Sequence, residues 1–65
     1  MAREMWWWRV ETNLGTRDSI APTRGKAIRN AKYRLVMAGK DYRRPTPRDL
    51  AAMRDVQVKS VRCVR

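Results

Sequence analysis

Basic and aromatic side chains are the residues of this 65-residue chain that could do chemistry. Sixteen Lys and Arg oppose six Asp and Glu, which gives a formal net charge of +10. Twelve of the sixteen are Arg, whose guanidinium group binds phosphate and carboxylate through two parallel hydrogen bonds. So large a charge on so short a chain favours an anionic partner: nucleic acid first, an acidic protein second and an anionic membrane third.

Two clusters combine cations with tyrosine, which can stack on a base or a sugar. One follows the start and outer face of a predicted helix, and the other lies in the connector after it. Together they are the predicted nucleic-acid-binding residues: Arg24, Lys26, Arg29, Tyr33, Lys40, Tyr42, Arg43 and Arg44. Since no base-reading motif is present, we expect DNA or RNA binding of low sequence specificity. The alternative is a solvated basic surface.

A protein-interaction module is the competing function. It would bind an acidic protein through a sheet face bearing Trp7, Arg9 and Arg62, since Trp and Arg are typical anchors of protein interfaces. A peripheral membrane role ranks third, because the tryptophans lie on a predicted strand rather than along an amphipathic helix.

Enzyme chemistry is disfavoured by the residue inventory. The chain has no histidine, one cysteine and six scattered carboxylates, so no catalytic residue, metal site or cofactor is predicted. The lone Cys63 cannot form an intramolecular disulfide, which suits a reducing, cytoplasmic compartment. No apolar run is long enough to span a membrane, and the first eight residues are too short and bulky for a signal peptide.

The segment Thr23 to Gly39 is the most periodic of the chain and predicts a helix, with Thr23 as N-cap and Gly39 just beyond its end. Arg24 and Lys26 fall in its first turn, where the helix dipole disfavours each cation by about 0.3–1 kcal/mol. A bound anion would reverse that cost, or the solvated side chains simply tolerate it. The predicted inner stripe is Ala27, Ile28, Ala31, Leu35 and Ala38.

A hairpin precedes this helix. Aromatic and β-branched residues predict a strand from Met5 to Leu14, a turn at Asn13-Leu14-Gly15-Thr16 and a second strand from Thr16 to Ala21. We expect Ile20 to point inward, with Arg17 and Ser19 outward. The first strand should lie mid-sheet, and its second tryptophan, Trp7, should face a second buried layer or a dimer contact rather than serve as a stacking platform.

The remaining segments complete a single domain of residues 1–65. Thr46-Pro47-Arg48-Asp49 predicts a capped helix from Pro47 to Arg54 with Leu50 and Met53 inward, and Val56 to Arg65 reads as a bulged strand. The order β-β-α-α-β predicts an α+β fold, a three-stranded sheet with one long and one short helix on one face. The expected core is Trp6, Trp8, Val10, Ile20, Ala27, Ile28, Ala31 and Leu35. An open second sheet face and the short length suggest a homodimer.

Three parts of the chain resemble small, mostly uncharacterised bacteriophage and prophage proteins: Trp8-Arg9-Val10, Thr23-Arg24-Gly25-Lys26-Ala27 and Val56 to Arg65. The resemblance spans nearly the whole chain in the order hairpin, helix, short helix and terminal strand. It implies a phage origin, action in the cytoplasm of a bacterial host and, for the interaction module, an acidic host or phage protein as partner. It implies no particular activity.

Overall fold

The computed structural model describes residues 4–41 and 44–64, and it has the predicted α+β order. The elements are β1 (Trp6–Thr12), β2 (Gly15–Ala21), α1 (Arg24–Met37), α2 (Pro47–Asp55) and β3 (Val58–Cys63). The strands form one antiparallel sheet in the order β2-β1-β3. The predicted fold class is confirmed, with β1 in the middle.

The long helix α1 packs its small residues against the sheet. Thr23 is its N-cap, with the side-chain hydroxyl accepting a 3.3 Å hydrogen bond from the amide of Lys26. Gly39, two residues past its end, has φ 75°, a conformation that favours glycine. The core that it closes consists of four fully buried residues, Val10, Ala21, Ala27 and Ala31.

The hairpin turn has two residues between the paired strands, and this even number sets the faces of β2. Only Asn13 and Leu14 separate the strands, and Gly15, with φ 130°, already pairs with Thr12. The odd-numbered residues of β2 therefore share a face with the even-numbered residues of β1. Ser19 is consequently buried and Ile20 exposed, so the predicted inward Ile20 and outward Ser19 were wrong.

The predicted core contained more large residues than the structure buries. Trp8, Ile28 and Leu35 are half-buried, whereas Trp6 is exposed. Trp6 lies at the end of the sheet, opposite Ala21. The small side chains of α1 pack on Val10 and Ala21 instead of on the Trp6 indole. The predicted inner residue Ala38 is exposed because the helix ends before it.

A bulge lets two valines of opposite parity on β3 face the same core. Val61 pairs with Val10 and Val58 with Thr12, and the register shifts between Glu11 and Thr12. Both valines pack against the buried cluster. The predicted irregularity in this strand is therefore present.

The short helix α2 begins with the predicted capping box. The Thr46 hydroxyl accepts from the amide of Asp49, and the buried Asp49 carboxylate accepts from the amide and hydroxyl of Thr46 at 3.0 Å. Lys40 forms an ion pair with the same carboxylate, which links the end of α1 to the start of α2. Leu50 is exposed and Met53 half-buried, so the predicted inward Leu50 was wrong; the side chain buried from this helix is Asp49.

Replacing Ala31 by Leu should overpack the core, because Ala31 is fully buried between α1 and the sheet. We expect a loss of about 1–3 kcal/mol in the free energy of unfolding, measured by urea denaturation. Ala52→Leu makes the same change on an exposed position of α2 and should cost far less. Equal stability of wild type and Ala31→Leu would contradict the assigned helix face.

Candidate nucleic-acid interface

The outer surface of α1 is cationic along its whole length. The helix contains five basic residues and no acidic one: Arg24, Lys26, Arg29, Lys32 and Arg34. Within residues 4–41 and 44–64, no carboxylate forms an ion pair with any of them, since the described pairs involve Arg9, Lys40 and Arg62. The helix therefore presents positive charge that the fold itself does not neutralise.

Successive turns place three of the predicted site residues on one exposed stripe. Lys26, Arg29 and Tyr33 lie within about 60° of one another at 100° per residue, and all three are exposed. A helix of 14 residues is about 21 Å long. Because a duplex carries one charge per about 1.7 Å of its axis, α1 is long enough to run beside about a dozen phosphate charges.

An open groove of about 500 Å³ extends this surface toward the edge strand β2. Its lining includes Arg17, Tyr33, Arg34 and Met37. Arg17 reaches the helix side of the sheet because it pairs with Val10, which lies under α1. We define the basic helix surface as the five cations of α1 together with Arg17 and Tyr33.

Three cations of this surface were absent from the predicted site. Lys32 and Arg34 flank the predicted stripe. The absence of any acidic residue in α1 was the sequence signal that could have added them to the predicted site. Arg17 was predicted to point outward together with Ser19, but it shares the helix side of the sheet with Val10. A two-residue turn at Asn13 and Leu14 would have placed it correctly.

A second open pocket lies at the start of α1. It has a volume of about 390 Å³ and is lined by Trp6, Trp8, Pro22, Thr23, Arg24 and Cys63. Trp6 was predicted as a core residue, and the structure instead places its exposed indole and Arg24 in one pocket. An aromatic ring next to a cation offers a stacking surface beside a phosphate-binding group.

The structure describes two of the four predicted connector residues, Lys40 and Arg44. The Lys40 ammonium is paired with Asp49, so it has a structural contact within the fold. Arg44 is exposed before α2, while Tyr42 and Arg43 lie outside the described residues. Of the described predicted site residues, Lys26, Arg29 and Tyr33 share one stripe of α1. Arg24 lies at the start of the helix in the pocket with Trp6.

The competing interface occupies the other face of the sheet. Trp7, Arg9 and Arg62 lie there together, as predicted, because Arg9 and Arg62 are register partners and Trp7 lies two residues before Arg9 on β1. Two carboxylates share this face. Asp18 binds Arg9 through two contacts of 2.9 and 3.3 Å, and Glu11 lies 4.0 Å from Arg62.

The contacts between Arg9 and Asp18 shift the pKa values of both side chains. The hydrogen bond from the Arg9 guanidinium, helped by its positive charge, lowers the pKa of Asp18 below its ordinary range, and the same contact raises the pKa of Arg9. At neutral pH the pair is therefore ionised on both sides and has no net charge.

Comparison with protein-family models, with curated proteins and with solved structures finds no match to this chain. In the described part of the chain, neither helix is long and apolar enough to cross a membrane. No three His, Cys, Asp or Glu side chains of residues 4–41 and 44–64 lie close enough to hold a metal ion.

Carbon-detected NMR titration should place the pKa of Asp18 below its ordinary value of 3.8, and Arg9→Gln should move it back up. Because the folded pKa lies below the unfolded one, the pair contributes its full stability above the ordinary value. That contribution is lost as pH falls through the lowered pKa. The same Asp18 pKa in wild type and Arg9→Gln would show that the pair does not form.

Proposed function

We infer that this protein binds DNA or RNA with low sequence specificity through the basic helix surface, as a binding protein and not an enzyme. The observation that supports this most strongly is the run of five cations on α1, with no acid in the helix and no ion pair to a described carboxylate. A folded surface of this kind attracts the phosphate backbone by charge and by release of counterions.

The aromatic side chains add contacts that charge alone cannot supply. Tyr33 lies exposed within the stripe, and Trp6 lines the pocket that also contains Arg24. Stacking on such rings is tolerant of sequence because every base has a flat face, and it is available only where bases are unpaired. We therefore expect single strands to bind at least as well as a duplex of the same length.

An acidic protein partner is the weaker proposal. The arginines assigned to it, Arg9 and Arg62, each lie beside a carboxylate of the same sheet face. An incoming acidic group would have to compete with Asp18 and Glu11 for them, whereas a phosphate reaching α1 meets no such competitor. The phage origin and the bacterial cytoplasm belong to the proposal on the strength of the resemblance of the sequence.

Reversing two charges of the stripe should abolish most of the binding. The double variant Lys26→Glu/Arg29→Glu exchanges Lys and Arg for Glu, which also has a high helix propensity. It lowers the net charge by four. Fluorescence anisotropy with a labelled 20-nucleotide single strand and its duplex, at two salt concentrations, measures the effect. We expect at least a tenfold loss of affinity and a shallower salt dependence.

The matched control is Lys59→Glu/Arg62→Glu, which lowers the net charge by the same amount on β3. It should lose much less affinity than the α1 variant. Equal losses would mean that net charge alone attracts the oligonucleotide, and absence of wild-type binding at about 50 mM salt would overturn the proposed function.

A further inference from the structure

An apolar row crosses β2 and β1 and continues to Val64, just past the end of β3, on the sheet face that α1 does not cover. Ile20 on β2 pairs with Trp7 on β1. On the other side of Trp7, the Trp7 carbonyl accepts a 2.9 Å hydrogen bond from the amide of Val64. Their exposed fractions are 45%, 44% and 42%. Met5, two residues before Trp7, is 50% exposed on the same side. Contiguous exposed side chains of this kind mark a surface that another molecule covers.

The charges next to this row cancel. Arg9 and Asp18 occupy the adjacent register position, and Arg62 pairs with Glu11. Two of the six carboxylates of the chain are thus placed on one sheet face, although α1 has none. The whole protein has a net charge of +10, but on the face that includes the apolar row two arginines are balanced by two acids.

We propose that this face, comprising Met5, Trp7, Ile20, Val64 and the two ion pairs, is the surface through which two copies of the chain associate. Two molecules of charge +10 repel each other, and the repulsion is least when the balanced faces meet and the two α1 helices point away. An acidic partner would gain little from a face whose arginines are already paired. A second copy gains burial of both apolar rows.

The dimensions of the face set the strength of the association. Three strands about 4.8 Å apart and seven residues long form a face of about 14 by 24 Å. Two such faces packed about 10 Å apart bury less than the roughly 1,200 Å² of a stable interface. An interface this small is typical of a weak, transient dimer. This inference does not depend on the proposed nucleic-acid binding.

Analytical ultracentrifugation from 10 µM to 1 mM tests the proposal on the full chain. The wild type should pass from a 7.7 kDa monomer to twice that mass. Higher salt should strengthen the dimer by screening the repulsion between copies, which is the opposite of its effect on oligonucleotide binding.

Adjacent tryptophans supply a matched pair of variants. Trp7→Ser should weaken the dimer at least tenfold, whereas Trp6→Ser changes an equally exposed tryptophan, 43% against 44%, on the opposite face and should leave it intact. Ile20→Thr keeps a β-branched residue and should weaken the dimer as well, which separates loss of the surface from misfolding of Trp7→Ser.

A wild type that stays monomeric at 1 mM would overturn the proposal and leave the apolar row to a different partner. Equal weakening by Trp6→Ser and Trp7→Ser would also overturn it, because it would place the contact outside the uncovered face. Oligonucleotide binding by Trp7→Ser at 1 µM should match wild type, so failure of the dimer and failure of the proposed function are seen separately.

Discussion

The two-residue turn between β1 and β2 decides which side chains meet across the whole domain. Thr12 closes it, accepting from the amide of Leu14 and donating to the carbonyl of Gly15 at 2.8 Å. Asn13 then exchanges two hydrogen bonds with Gln57, 44 residues away, just before β3 begins. One short turn thus sets the register of both hairpin strands and ties the third strand to them, so the faces of all three are linked.

Charge is divided between the two sides of the molecule as a result. The same register that brings Arg17 beside α1 brings Asp18 opposite Arg9 on the uncovered face. Two acidic side chains, Asp18 and Glu11, therefore balance arginines of the sheet, and Asp49 lies inside the capping box of α2. The helix α1 keeps its positive charge because no carboxylate of the described residues forms an ion pair with it.

Local signals predicted the elements, and the missed strand pairing explains the wrong faces of Arg17, Ser19 and Ile20 on β2. Capping residues such as Thr23 and Thr46 act within one helical turn, so the sequence alone showed where the helices begin. Burial of Ser19 instead of Ile20 depends on whether an even or an odd number of residues separates the paired strands, because each added residue moves the side chains of β2 to the other face. Exposure of Trp6 depends on how far α1 extends over the sheet, and no local sequence pattern predicts that extent. The cationic stripe was predictable because it follows helical periodicity alone.

Amide chemical-shift mapping tests the division of the surface most directly. A ¹⁵N-labelled sample at low concentration and low salt is titrated with a short single-stranded oligonucleotide. We expect the largest shifts on the outer turns of α1, from Lys26 to Arg34, and small shifts at Arg9, Asp18 and Arg62. Largest shifts on those three residues, with α1 unchanged, would contradict it.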